Sequence, residues 1–401
     1  MRRFVLLVAG LALLAGVAAT VSGGGTQAEA RWVITDLGTL GGKASEATAI
    51  NERGQIVGSA DTSAKDRDGY SVSHAFRWQS SRMHDLGTLP RRSHCQALDT
   101  NERGEIVGRC ENEAFVSRAV LWREGRVIDL GLLKRPGYRF ANSDASLVNE
   151  RGQIVGSSWE GLDGDDTAAF VWVRGAMIDL GGLQGEGVGT EATAINERGE
   201  IVGGAWAEND LWHAFLWAER AMVDLDASGK SSEALALNER GQAVGWSGRS
   251  AALWQDGKLL GLRALPARRY GEAVAINEHA AVVGWSSATV DDYGQARSPR
   301  ATLWTNGRPT DLRTLPGTRF SQAIAINDRG QIVGWSATRL EFGEPRDPRA
   351  FVWQSGKLTN LGTLGGRLSQ AIAINNHGQI VGWSETKSGA HHAVLWTLKR
   401  G

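Results

Sequence analysis

Bulky and small side chains alternate along His213-Ala214-Phe215-Leu216-Trp217 and along Ala221-Met222-Val223-Asp224-Leu225, a period of two that a strand presents to one face of a sheet. A short turn joins the runs, so the segment predicts a β-hairpin. A second hairpin is predicted around an Asn-x-x-Gly turn, between Ala192-Thr193-Ala194-Ile195-Asn196 and Glu200-Ile201-Val202-Gly203. The two hairpins recur together. Asn51, Asn101, Asn149, Asn196, Asn238, Asn277, Asn327 and Asn375 each precede by seven residues a glycine of the set Gly58, Gly108, Gly156, Gly203, Gly245, Gly284, Gly334 and Gly382. Trp78, Trp122, Trp172, Trp217, Trp254, Trp304, Trp353 and Trp396 mark the third run of each unit. A period of about 40 to 50 residues is one supersecondary unit repeated, as in solenoids and propellers.

Connection lengths order the strands. In a four-stranded propeller blade one connection must cross from the outermost strand to the innermost strand of the next blade, about 14 Å at three strand spacings plus the step between blades. The link from Gly245 to Ala251 is too short for that, so it lies inside a blade. Segments such as Asp36-Leu37-Gly38-Thr39-Leu40-Gly41-Gly42 are therefore the crossovers. The Ala-Ile-Asn run is then innermost, the Ile-Val-Gly run second, the His-Ala-Phe run third and the Asp-Leu run outermost; Pro309, on an outermost run, suits an edge strand. The chain opens on a lone outer run, Trp32 to Leu37, and stops five residues after Trp396 with its own outer run missing. The expected fold is an all-β, eight-bladed β-propeller of four-stranded antiparallel blades, the N-terminal strand closing the last blade. An open β-solenoid is the alternative, and it would not need that exchange.

The runs His213 to Trp217, Asp36 to Gly42 and Ala373-Ile374-Asn375-Asn376-His377-Gly378-Gln379-Ile380-Val381-Gly382 resemble the HAF family of probable extracellular repeats. The resemblance covers nearly the whole chain after residue 30. It implies export and repeat architecture, and it brings no catalytic residues to carry over. The chain departs from the pattern where Arg118 replaces the His and where the turn reads Asn277-Glu278-His279-Ala280.

Composition narrows the compartment and the partners. Residues 1–30 read as a Sec signal peptide: Arg2 and Arg3, an apolar run from Phe4 to Val21, and Ala28-Glu29-Ala30 as a cleavage site, leaving a propeller over 31–401. An uncleaved anchor helix is the alternative for that run, and nothing later in the chain could span a membrane. The expected location is extracellular or periplasmic. Lys plus Arg and Asp plus Glu are each 44, so no global field draws the chain to nucleic acid. Cys95 and Cys110 flank the Asn101–Gly104 turn. A four-residue turn would set them across two paired strands as a disulfide, whereas a bulge at Gly104 would shift the register and leave two small buried thiols.

Features present in every blade read as structural: turn closure for the Asn, positive φ for the Gly, wedge packing for the Trp. Function is expected where blades differ, on the face that carries both the variable loops and the crossovers. Trp246, Trp285, Trp335 and Trp383 follow the second-strand glycine in four consecutive blades, and Trp159, Trp206 and Trp212 lie in variable loops. Crossovers carry Tyr138, Arg139, Arg269, Tyr270 and Arg319. Aromatic and arginine groups in one arc suit sugar faces or anionic groups of a polymer; the alternative is packing between blades and a solvated rim. The loop acids Asp66-Arg67-Asp68-Gly69 and Asp163-Gly164-Asp165-Asp166 could offer oxygens to calcium, but neither continues as an EF-hand loop. No other cofactor is indicated. The sequence therefore leads to a secreted, noncatalytic propeller that binds an extracellular or envelope glycan or protein through its long-loop face. The alternative is a propeller hydrolase or lyase acting on an extracellular polymer, with acid and base drawn from different blades, for instance Asp165 or Asp292 with a loop Arg.

Overall fold

The computed structural model describes residues 30–161, 166–184, 189–226, 228–291 and 294–399. The signal peptide expected before Arg31 therefore lies outside the described residues, as do Asp163, Asp165 and Asp292. Eight four-stranded antiparallel sheets form the blades of a closed ring, and a two-stranded hairpin, Leu340–Glu341 with Glu344–Pro345, projects from blade 7. Among the described residues no helix is long and apolar enough to cross a membrane.

Blade 5 shows the order common to all. Its inner strand is Ser232–Leu237, followed outward by Ala243–Ser247, Ser250–Gln255 and Lys258–Gly261. This is the order that the connection lengths require. The last blade takes Gly365–Ile374, Ile380–Thr386 and His391–Lys399 from the C-terminal end and its outermost strand, Arg31–Asp36, from the N-terminal end. Trp32 and Ile34 of that strand pack on the core that holds Val394 and Trp396.

Each turn Asn joins two blades. The Asn51 Oδ1 accepts the Gln55 amide at 2.9 Å, closing its own turn, while its Nδ2 donates to the Asn101 carbonyl of the next blade at 3.0 Å. The same bond runs from Asn101 to Asn149, Asn149 to Asn196, Asn196 to Asn238 and Asn238 to Asn277. It continues from Asn277 to Asn327 and Asn327 to Asn375, and Asn375 returns it to Asn51 at 3.0 Å. Eight buried amides thus satisfy eight buried carbonyls in a circle, which an open array could not complete.

The second-strand glycines have a different cause from the one their spacing suggests. Positive φ belongs to turn glycines such as Gly54 and Gly104, not to Gly58 or Gly284. Each inner strand carries one extra residue, seen as a register shift between Ala273 and Ala275 in blade 6. The bulge pushes the Glu272 carbonyl to within 2.0 Å of where a Cβ on Gly284 would stand, and Gly58, Gly108 and Gly334 meet the same obstacle at 2.0 Å. No side chain fits there.

The same bulge decides the cysteine register. The turn after Thr100 does shift the ladder, pairing Thr100 with Ile106, but the bulge between Ala97 and Asp99 shifts it back. Cys95 then faces Cys110, and the two form a disulfide.

Candidate functional site

Strand alternation puts both tight turns of every blade on one face and both longer connections on the other. On that second face the blade 6 loop after Val282–Ser287 and the blade 7 hairpin stand over the inner strands. They enclose a cavity of about 740 Å³ between blades 5, 6 and 7. Its floor is Trp246, Trp285, Glu272 and Gln322, all on strands and all at least half-buried. Its rim is Lys230, Arg249, Gln295, Phe342 and Glu344, all on loops or loop-flanking positions and all exposed. A pocket of this size, with two indoles and a few polar groups, falls in the range of about 300–1,000 Å³ typical of small-molecule sites.

The floor is built by one repeated position. Five residues before each turn Asn the inner strand carries an acid or an amide: Glu46, Gln96, Asp144, Glu191, Glu233, Glu272, Gln322 and Gln370. Pairing sets Glu233 opposite Trp246, Glu272 opposite Trp285, Gln322 opposite Trp335 and Gln370 opposite Trp383. The Trp246 Nε1 donates to Glu233 at 3.3 Å, and the Trp285 indole donates to Glu272. Blade 4 has Gly204 in the Trp slot, and Trp212 folds over it from the neighbouring strand: a Cβ on Gly204 would lie 2.0 Å from the Trp212 Nε1. That indole also donates to Glu233.

The carboxylates are held in an unfavourable setting. Burial, and then the neighbouring Glu233, push Glu272 up to about 7 against the pull of the Trp285 bond. Burial followed by Glu191 raises Glu233, while its two indole donors oppose the rise. Asp144 is raised by burial, opposed first by the Ser157 amide, which it accepts at 3.1 Å. Acidic groups thus occupy this position in four successive blades, as Asp144, Glu191, Glu233 and Glu272.

The residues singled out from sequence do not all converge. Trp246 and Trp285 share the cavity. Trp335, 2% exposed, does not line this cavity; Trp285, which does, is itself buried at 6%, so Trp246 is the more open of its two indoles. Trp383 stacks on His391 at 4.5 Å beside Glu46 and Ser59, in a separate recess. Tyr138 stacks on Phe140 at 5.7 Å and lies under Arg135, which pairs with Asp179 at 2.6 Å. Arg139 is exposed beside it. Arg269 and Arg319 are exposed at the inner ends of their crossovers, where their amides donate to Ser287 and Ala337, and Tyr270 begins the blade 6 inner strand. None of these five crossover residues lines the main cavity. Asp66 Oδ1 accepts the amides of Asp68 and Tyr70 at 3.0 and 2.8 Å, so that carboxylate already serves its own loop.

Sequence reading missed Glu233, Glu272 and Gln322. The available signal was the constant acid-or-amide position inside an otherwise apolar strand.

Neither a family model nor a curated protein sequence matches the chain. Solved structures do. A prolyl endopeptidase structure is 10% identical over 89% of this chain, with a TM-score of 0.54, and the chain spans 55% of its length. The β-propeller domain of the Trilobed protease from Pyrococcus furiosus is 11% identical, covers 89% of this chain and 95% of its own, and has a TM-score of 0.47. The Aleuria aurantia lectin is 13% identical over 79% of this chain and 94% of its own, with a TM-score of 0.34. At such identities the likeness is one of fold.

Proposed function

We propose that this propeller is a secreted, noncatalytic binding module that holds a glycan or protein ligand at its long-loop face, outside the cytoplasm. One observation carries the reading: the cavity between blades 5 and 7, where Trp246 and Trp285 stand beside Glu272 and Gln322 beneath two projecting loops. Indole surfaces supply contact area at low entropy cost, and the carboxylate and amide supply orientation. Export is supported by the apolar run after Arg3 and by the Cys95–Cys110 disulfide, which suits an oxidising compartment. The HAF resemblance fits the same location. Screening the exported protein against glycan, cell-wall and peptide arrays tests the reading. Capture of one ligand class, lost on Trp246→Ser, supports it; a blank on every array contradicts it.

A second reading, a hydrolase or lyase, is favoured by the electrostatic coupling of Glu272, which lines the cavity, to Glu233 on the adjacent inner strand. Two coupled carboxylates with raised affinity for protons could act as an acid and a base. Turnover of a glycan or ester substrate, abolished by Glu272→Gln, would establish it in place of the binding module.

A further inference from the structure

The inner-strand series contains its own control. Blades 2, 7 and 8 carry Gln96, Gln322 and Gln370 where blades 1, 3, 4, 5 and 6 carry Glu46, Asp144, Glu191, Glu233 and Glu272. The fold therefore needs only a polar side chain at the position, and a neutral amide serves. Placing carboxylates in four adjacent blades adds mutual repulsion and a desolvation cost. The group that steadies Glu272 is the Trp285 indole, a neutral donor. Of these acids only Glu272 lines the cavity, so its charge is available to whatever the cavity receives.

Resting on the binding reading above, we propose that the cavity receives a basic side chain of a protein ligand, its aliphatic stem against Trp246 and its cationic head on the Glu272 carboxylate. The geometry suits a long side chain with a charged end. Indoles are the strongest partners for an organic cation, and lysine and arginine bury an apolar stem behind a charged head. The carboxylate lies on the strand floor while the loop residues stand above it, so a ligand must reach past the rim. The rim carries Lys230 and Arg249 against Glu344, a net positive charge that opposes a cation, so binding of one must draw on the floor. Attraction for a cation is concentrated at Glu272, with neutral Gln322 of blade 7 on the same floor and Glu233 of blade 5 close enough to raise its hold on a proton. Because Glu272 titrates at about 7, a ligand that keeps its charge binds the ionised form and meets competition from protons below that pH.

Calorimetric titration of the protein with tetralysine, with its Nε-acetylated form and with a glucosamine oligomer, at physiological salt, tests the proposal. Tetralysine should bind at least about tenfold more tightly than the acetylated peptide, the scale of a charge-assisted hydrogen bond. Glu272→Gln, which installs the amide that blade 7 already carries, should remove that advantage and leave the melting temperature unreduced. Moving the wild type from pH 8 to pH 6 should weaken tetralysine by about tenfold, with the acetylated peptide unaffected. Equal binding of both peptides, or unchanged binding by Glu272→Gln, would overturn the proposal. So would an equal loss with Glu344→Gln, which would place the attraction at the rim. Glucosamine oligomer bound in preference to tetralysine overturns the protein class while the binding reading stands; blank arrays defeat both.

Discussion

His392 Nδ1 lies 2.9 Å from the Asp36 carboxylate, a contact between residues 356 apart in sequence that ties the last C-terminal strand to the first strand of the chain. Blades 1 and 4 make the same contact within continuous chain, His74 to Asp85 and His213 to Asp224, both at 2.7 Å. The closing blade thus reproduces across a chain break what the repeat makes locally. Its outer strand is held by six paired residues, Arg31 with Lys399 through Asp36 with Val394.

Removing that strand should therefore open the ring. A chain beginning at Gly41 leaves His391–Lys399 as an unpaired edge and uncovers Trp396, so it should aggregate or melt about 10 °C or more below a chain beginning at Arg31. Differential scanning calorimetry compares the two, and equal melting temperatures would contradict closure.

The Asn circle makes a sharper prediction. Asn375→Ala removes the bond that returns the circle to Asn51, whose carbonyl keeps only the Gly54 amide, and takes the side-chain acceptor from the Gln379 and His377 amides. The change should cost about 2–4 kcal/mol, as expected for breaking a buried hydrogen-bond network, measurable by urea unfolding. A cost below about 0.5 kcal/mol would show that the circle is incidental.

Two glycines separate steric need from habit. Gly284→Ala drives a methyl group into the Glu272 carbonyl and should destabilise the protein strongly or block folding. Gly261→Ala, on an exposed outermost strand with open space and no positive φ, should change stability by less than about 0.5 kcal/mol.

The buried acids predict how stability depends on pH. Burial pushes Asp99 up to about 6, against its bond from the Val148 amide at 2.9 Å, and Glu272 stands at about 7. Both folded-state values lie above the unfolded ones. The native state therefore binds these protons more tightly, and the stability they contribute is full below about pH 4 and lost as pH rises through 6 and 7. Asp99→Asn and Glu272→Gln should each raise the melting temperature at pH 8 and leave it nearly unchanged at pH 4. A thermal scan across that range checks the sign.

Much of the fold was legible because it depends on the order of strand types. The short link from Gly245 to Ala251 fixes which connection stays inside a blade, and the lone run from Trp32 to Leu37 fixes closure. The site was less legible because it depends on what backbone geometry brings together. Trp212 reads as a loop aromatic until the missing Cβ of Gly204 makes room for its ring. Glu233 and Glu272 read as polar interruptions in a strand until pairing sets them under Trp246 and Trp285. Trp335 shares the spacing of those two, yet it does not line the cavity, and spacing alone does not distinguish the three. The crossover arginines Arg139, Arg269 and Arg319 share one face with the cavity without lining it.

If the Trp246–Trp285 cavity is the ligand site proposed above, one substitution in it separates binding from folding. Affinity and melting temperature are measured together for Trp246→Ser, using the ligand that the arrays capture. Serine already occupies that slot at Ser59 and Ser157, so the fold should hold. Affinity should fall at least about tenfold with the melting temperature unchanged. Unchanged affinity with a lowered melting temperature would contradict it and reduce both indoles to packing.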